Sequence, residues 1–188
     1  SVTDRLMFRP FPYLRDPARV HRVYFQTTIN GRRLTQSSGP YARYLDVRRA
    51  TTSFDQYAGF TEWRLAVGIG DASRERQVAG VNAAFFDFFD ARPVLGRYFA
   101  PVEDSIPRGA NVSVLSYGYW MFELGGRDVV GQKLQVGPLA TTIIGVAAKG
   151  FVGVSEGQAP SVWVPITTLA YGVNQGHPET FPTRYNWD

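Results

Sequence analysis

Short segments of β-branched, aliphatic and aromatic residues recur along the chain, several of them alternating with polar positions, and this pattern predicts strands. Turn dipeptides adjoin two of the segments: Asn30-Gly31 follows the first, and Gly137-Pro138 predicts a β-hairpin over residues 132–146. Pro165 cannot donate to a sheet ladder, so it marks a sheet edge or a strand end. The predicted strands are residues 21–29, 59–69, 75–81, 112–115, 132–136, 139–146 and 162–165.

Helical spacing of apolar positions occurs in two other segments. Apolar side chains at intervals of three and four predict a helix over residues 41–57, entered through Pro40. A shorter helix is predicted over residues 117–124, ended by Gly125-Gly126. The apolar positions of the first helix are Tyr44, Val47, Ala50, Phe54 and Tyr57.

The most aromatic stretch of the chain is VNAAFFDFFDARPVLGRYFAPVED, residues 81–104. Asn82 is expected to cap a helix that ends before Pro93, because proline lacks the N–H that a helix needs. The aromatic side chains on one face of that helix are interpreted as core rather than as a cofactor site. The expected buried positions are Phe85, Phe88 and Phe89, and the expected exposed ones are Asp87 and Asp90.

The order of these elements favours an α+β fold with two units. Strand, helix, strand, strand and helix follow one another in the first half, which indicates a small sheet with helices on one face. After Arg97 a loop rich in proline, glycine and acids leads into a second, strand-rich group. We therefore predict one unit over residues 1–96 and a second over residues 97–170.

Composition sets the class of protein and removes several kinds of chemistry. The 188 residues are 44% hydrophobic and 19% charged, which is typical of a folded globular chain. There is no cysteine, so disulfides, thiolate metal sites and cysteine nucleophiles are excluded. No run of about 18 apolar residues occurs, so any membrane anchor is expected outside this sequence.

The net charge of +4 comes almost wholly from arginine, with Lys133 and Lys149 the only lysines. The basic residues are dispersed and form no nucleic-acid-binding motif, so no nucleic-acid partner is predicted. A group of five near the N-terminus would favour an acidic partner or lipid headgroups. These are Arg5, Arg9, Arg15, Arg19 and Arg22.

The sharpest catalytic motif is Gly153-Val154-Ser155-Glu156-Gly157, which fits G-x-S-x-G. A serine hydrolase needs a helix directly after the serine, yet glycine, proline and a strand follow. A catalytic triad also needs an acid to orient the histidine. The only acidic residue between Ser155 and His177 is Glu156, which is too near the serine for that role. A glycine-rich loop is therefore predicted.

Other candidate chemistry is weaker. His177-Pro178-Glu179 fits half of a zinc deaminase motif, but its cysteine half is missing. Glu103 and Asp104 are an adjacent acid pair, which on a loop is usually solvated. No catalytic, cofactor-binding or metal-binding residue is predicted, and no cofactor.

The ordered set VNAAFFDFFDARPVLGRYFAPVED, VSVLSYGYWMFELGG, DVVGQKLQVG, TTIIGVAAKGFVGV and VWVPI resembles the periplasmic core domain of MacB-like and FtsX-like ABC transporter permeases. RLMFRPFPYLRDPARVHRVY is similar to the segment after the first membrane helix in that family, and YLDVRRATTSFDQYAGF to its first helix. The resemblance covers most of residues 1–170.

This resemblance implies a fold of two lobes. One is a porter-like βαβ subdomain, residues 1–96, toward which an incomplete tail, residues 171–188, returns; the other is a smaller β-rich insert, residues 97–170. It implies a non-catalytic domain on the periplasmic side of the cell membrane, which relays conformational change. The implied partners are the permease's own membrane helices, a cytoplasmic ABC ATPase and a periplasmic protein.

A function of another class stays open at this point. A secreted, non-catalytic module could bind carbohydrate or protein through exposed aromatic side chains. The candidates for such a surface are Trp63, Tyr117 and Trp120.

Overall fold

The structure, a computed structural model, describes residues 11–173. Two sheets are present in this range, one of two strands and one of seven. The first sheet consists of β1 (Phe25–Ile29) and β2 (Arg32–Gln36). The second consists of β3 (Phe60–Gly68), β4 (Arg74–Val81), β5 (Leu95–Gly96), β6 (Val112–Leu115), β7 (Lys133–Val136), β8 (Leu139–Val146) and β9 (Val162–Pro165).

Six strands of the larger sheet close into a ring. Their order is β8, β6, β9, β4, β3 and β7, and β7 pairs again with β8. Two of the pairings are parallel, β4 with β9 and β6 with β8, and the rest of the ring is antiparallel. Closure gives each strand of the ring two neighbours, although β3 pairs with β7 only at Val67 and Gly68.

Helices flank this ring. The α-helices are α1 (Tyr41–Ala50), α2 (Tyr117–Glu123) and α3 (Ile166–Val173), and α3 continues directly from β9. Ser116 caps α2, because its hydroxyl accepts a hydrogen bond of 3.1 Å from the N–H of Tyr119. Two 3₁₀ helices, Ala83–Phe88 and Pro101–Asp104, flank the short strand β5.

The core has two clusters, which the alternation of strand side chains separates. In β9, Val162 and Val164 contribute to the first cluster, and Trp163 between them contributes to the second. The first cluster, called the aliphatic cluster, is aliphatic except for Tyr119 and includes Leu134 and Ile143. Half of the buried residues of the second cluster are aromatic, and it contains the phenylalanines that were interpreted as core.

The mixed helix and strand class is confirmed, and so are the predicted strands, although the first begins at Phe25, four residues later than predicted. The strands β2 and β5 were not predicted. Pro165 is a strand end and not an edge, since β9 lies between β6 and β4. The larger sheet joins strands from both sides of residue 96. The division of residues 1–96 and 97–170 into two lobes stays a prediction, and most of the tail of residues 171–188 lies outside the described residues.

One helix prediction was wrong in its extent and another in its type. The helix predicted over residues 41–57 ends at Ala50, because Thr51 turns to extended backbone ahead of another threonine and a serine. The helix predicted from Asn82 is a 3₁₀ helix, and Phe89 is already extended. The helix α3, rich in residues that favour strands, was not predicted. Within residues 11–173 no helix is long and apolar enough to cross a bilayer.

Candidate functional site

The Phe-rich segment, residues 82–91, is held at one end by the leading segment, residues 11–15. The N–H of Arg15 donates to the carbonyl of Phe88, and the N–H of Asp90 donates to the carbonyl of Tyr13, both at 2.8 Å. Between these bonds Leu14 and Phe89 form an antiparallel β-bridge. The early extension of Phe89 is explained by this pairing, since a helical Phe89 would not face Leu14.

Side chains reinforce this attachment. The guanidinium of Arg15 donates to the carboxylate of Asp90 at 2.7 and 2.9 Å. The hydroxyl of Tyr13 donates to the carbonyl of Lys149 at 2.7 Å. Both partners of the ion pair are more than half exposed, so it contributes little to stability by itself. The backbone bonds and the packing of Leu14 against the aromatic core are the stronger part.

The middle of the Phe-rich segment belongs to an aromatic cluster that rests on the sheet. Phe86 stacks on Tyr98 with ring centroids 4.0 Å apart and meets Phe99 edge to face at 5.3 Å. Phe89 meets Phe151 at 5.0 Å, and Phe151 contacts the ring of Trp163 in β9 at 5.3 Å. The cluster consists of Phe85, Phe86, Phe89, Tyr98, Phe99, Phe151 and Trp163.

The other end of the Phe-rich segment meets α3 through Asp104. The Asp104 carboxylate accepts hydrogen bonds from the hydroxyl of Thr167 at 2.9 Å and from its N–H at 3.4 Å. It also accepts from the N–H of Ala83, where the 3₁₀ helix of the Phe-rich segment begins, at 3.4 Å. One carboxylate therefore binds two helix N-termini, positions that favour negative charge.

Burial dominates the electrostatics of this carboxylate. Burial raises the pKa of Asp104 from 3.8 to about 6, against the hydrogen bonds from Thr167 and Ala83 and the positive charge of Arg48. Glu103 next to it behaves oppositely, because the hydrogen bonds from Arg97 lower its pKa. The Arg97 guanidinium binds both Glu103 oxygens, at 2.6 and 2.8 Å.

A cleft of about 460 Å³ lies beside this junction, between α1 and the Phe-rich segment. Asn82 forms part of its wall and bridges the two sides: its amide donates to the Tyr44 hydroxyl at 2.5 Å, and its oxygen accepts from the N–H of Gly59 at 3.1 Å. Burial raises the pKa of the Tyr44 hydroxyl. The lining includes Arg48, Tyr57, Asp87, Phe99 and Asp104.

The interpretation of the aromatic side chains as core is confirmed for Phe85 and Phe89, while Phe88 is half-buried and Phe86 is also buried. Asp87 and Asp90 are exposed as predicted. The prediction of a solvated acid pair was wrong, because Glu103 binds Arg97 and Asp104 is half-buried and binds Thr167. Asp104 has no local signal, since the threonine that holds it lies 63 residues further along the chain.

The glycine-rich loop prediction is confirmed: no helix begins directly after Ser155, and the next helix, α3, follows only after β9. The Ser155 hydroxyl contacts the carboxylate of Glu62. Glu156 forms an ion pair with Arg22 at 3.1 Å. The motif His177-Pro178-Glu179 lies outside the described residues. No cluster of three metal-binding side chains occurs in residues 11–173.

The three aromatic residues considered for a binding surface lie on different elements. Trp63 is 45% exposed on β3. Tyr117 and Trp120 lie on α2 and pack edge to face at 5.5 Å, and the Trp120 indole donates to the carbonyl of Arg127. Within the described chain no ring contact joins Trp63 to this pair.

The fold is a mixed α/β domain, and both described ends of the chain attach to one part of it. This part, called the aromatic junction, consists of the Phe-rich segment, the aromatic cluster and Asp104. The family model of the MacB-like periplasmic core domain matches residues 8–183. The chain therefore belongs to this family, the periplasmic domains of MacB-like ABC transporter permeases.

Solved structures of low sequence identity share the fold. The periplasmic region of MacB from Actinobacillus actinomycetemcomitans matches with a TM-score of 0.60 and 14% identity, covering 74% of this chain and 60% of that one. The extracellular domain of the noncanonic ABC-type transporter YknZ from Gram-positive bacteria matches with a TM-score of 0.57 and 13% identity, covering 71% and 66%.

A domain of a putative permease protein from Porphyromonas gingivalis matches with a TM-score of 0.59 and 20% identity, covering 84% of this chain and 62% of that one. This chain thus spans about three fifths to two thirds of the structures it resembles. A search of curated proteins finds no sequence that matches at a significant level.

Proposed function

We propose that the chain is the periplasmic domain of an ABC permease in the cell membrane and that it relays conformational change without catalysing a reaction. Its partners would be the permease's own membrane helices, a cytoplasmic ABC ATPase and a periplasmic protein. The family supports the periplasmic setting. The relay rests on the geometry of the aromatic junction.

One observation carries the relay proposal: both ends of the described chain are fixed to the same short segment. The leading segment pairs with Phe88 and Asp90, and α3 is tied through Asp104 to Ala83. Between these attachments lies the aromatic cluster, and tightly packed interiors transmit strain with little loss. A displacement imposed at either end would move the junction and the sheet beneath it as one body.

The experiment uses the full-length permease in lipid bilayers. A dye on Ala140→Cys, an exposed position of β8, transfers energy to a dye-labelled lipid and so reports the distance of the domain from the membrane. ATP is expected to change this transfer. Arg15→Pro removes the N–H that binds Phe88, and Thr167→Val removes the hydroxyl that binds Asp104. Each should reduce the ATP-dependent change.

Two control variants resemble these without touching the junction. Val20→Pro introduces proline at an N–H for which the described chain shows no backbone acceptor, and Thr142→Val removes the hydroxyl of a half-buried threonine that binds Lys133. Both should keep the full ATP-dependent change. The relay proposal is wrong if Arg15→Pro and Thr167→Val fold, hydrolyse ATP and still give the wild-type change.

A further inference from the structure

The hairpin of β1 and β2 stands apart from the main sheet. Within the described chain its strands pair only with each other, and all five side chains of β2 are exposed. A two-stranded hairpin alone is marginally stable in water. A partner that covers part of this hairpin would therefore stabilise it.

One face of the hairpin is cationic at both ends. The strand register places Arg32, Leu34 and Phe25 on the same face, with Arg32 next to the turn. At the base, the guanidinium of Arg43 from α1 lies 5.0 Å from the centre of the Phe25 ring. Leu34, between these two charges, is 44% exposed.

The positive charge of this region is not balanced locally. Residues 11–50 contain eight arginines and two aspartates, whereas residues 51–173 contain nine basic and eleven acidic residues. Four of the eight arginines form ion pairs, namely Arg15, Arg19, Arg22 and Arg49. Arg32, Arg33 and Arg43 have no carboxylate within 4.0 Å in the described part of the chain. A negatively charged partner would complement them.

Exposed apolar side chains accompany these arginines. Val23 is 42% exposed and Tyr24 is 56% exposed, just before β1. The Arg22 guanidinium lies 5.8 Å from the centre of the Tyr24 ring. Arginine next to tyrosine and aliphatic side chains is the composition of surfaces that rest among lipid headgroups, where the rings enter the interface and the charges bind phosphate.

We propose that this basic hairpin surface, residues 22–36 together with Arg43, binds the headgroups of anionic phospholipids. The surface holds the domain against the membrane. This inference is independent of the relay, since the hairpin does not include the aromatic junction.

The test measures binding of the 188-residue chain to phosphatidylcholine vesicles with and without phosphatidylglycerol. The wild-type chain is expected to sediment with the anionic vesicles only, and less at high salt. Arg32→Glu/Arg43→Glu, which reverses the charge at both ends of the cationic face, should weaken this binding at least about tenfold, because each basic residue at an anionic surface contributes about 1 kcal/mol. Arg74→Glu/Arg92→Glu is the matched control: it changes the net charge equally at two exposed positions outside residues 11–50 and should bind like wild type.

Circular dichroism checks that both double variants fold. The proposal is overturned if the wild-type chain ignores anionic vesicles, or if the two double variants lose binding equally, which would indicate net charge alone. A polyglutamate peptide tests the other source of negative charge. If that peptide binds through Arg32 and Arg43 while anionic vesicles do not, the surface recognises an acidic protein and not a lipid.

Discussion

Asn82 and Tyr44 join the Phe-rich segment to α1 by a hydrogen bond of 2.5 Å between the Asn82 amide and the Tyr44 hydroxyl. Because Asn82 is only 5% exposed and also accepts from the N–H of Gly59, its loss leaves polar groups without partners. We expect Asn82→Ala to lower the free energy of unfolding by about 1–3 kcal/mol. Urea denaturation measures this value.

Gln36→Ala, at an exposed position of β2, is the control for this substitution and should change stability by less than about 0.5 kcal/mol. Equal effects of the two substitutions would show that the Asn82 hydrogen bonds contribute nothing.

Asp104 predicts a pH dependence of stability. Its pKa of about 6 in the folded chain lies above the ordinary 3.8, so the folded chain binds this proton more tightly than the unfolded chain. The stability that the protonated Asp104 carboxyl contributes is fully present below pH about 4 and is lost as the pH rises through about 6. The loss amounts to about 2–3 kcal/mol.

Asp104→Asn removes this titration. We expect the stability of wild type minus that of Asp104→Asn to fall between pH about 4 and pH about 7. Comparing the two proteins cancels the opposite effect of Glu103, whose pKa is lowered. Parallel stability curves for the two proteins across this range would contradict the assignment.

The aromatic cluster should be the most sensitive part of the core. Phe86 contacts several rings and is 5% exposed, so Phe86→Ala should cost about 3–5 kcal/mol through lost packing and the cavity that remains. Phe122 on α2 is 90% exposed and supplies the matched control. Phe122→Ala should change the melting midpoint little. A loss of stability as large as that of Phe86→Ala would contradict the burial of Phe86 in this core.

Glycine is required at position 96 for two reasons: the backbone has a positive φ, and there is no room for a side chain. Its φ is +61°, and a Cβ atom there would fall on the carbonyl oxygen of Ile144 across the β5–β8 pairing. Gly131 also has a positive φ, +89°, but has nothing within 4 Å. Gly131→Ala should cost about 1–2 kcal/mol from backbone strain. Gly96→Ala should lower the stability clearly more than Gly131→Ala in the same thermal melt. Equal losses of stability would show that β5 can move away from β8 to make room for the Cβ atom.

The strands could be predicted from the sequence because alternation is a local property. The role of Asn82 could not be predicted, because the sequence around it fits an N-cap as well as a bridging amide. Only the tertiary positions of Tyr44 and Gly59 show that it bridges. The burial of Asp104 likewise depends on Thr167, and α3 forms from β-branched residues because all of Ile166, Thr167, Thr168 and Leu169 are buried. In each of these three cases the prediction failed because a tertiary contact overrides the local preference of the sequence.

The central claim is that the aromatic junction couples the leading segment to α3. Hydrogen exchange measures this coupling most directly, at the amides of Arg15 and Asp90. These two amides donate the hydrogen bonds that join the leading segment to the Phe-rich segment. We predict that Thr167→Val, at the other end of the junction, speeds exchange at both amides. Val129→Ala, in the aliphatic cluster, should speed them less once the measured stabilities of the two variants are taken into account. Unchanged exchange at Arg15 and Asp90 in Thr167→Val, or equal acceleration in Val129→Ala, would contradict the coupling.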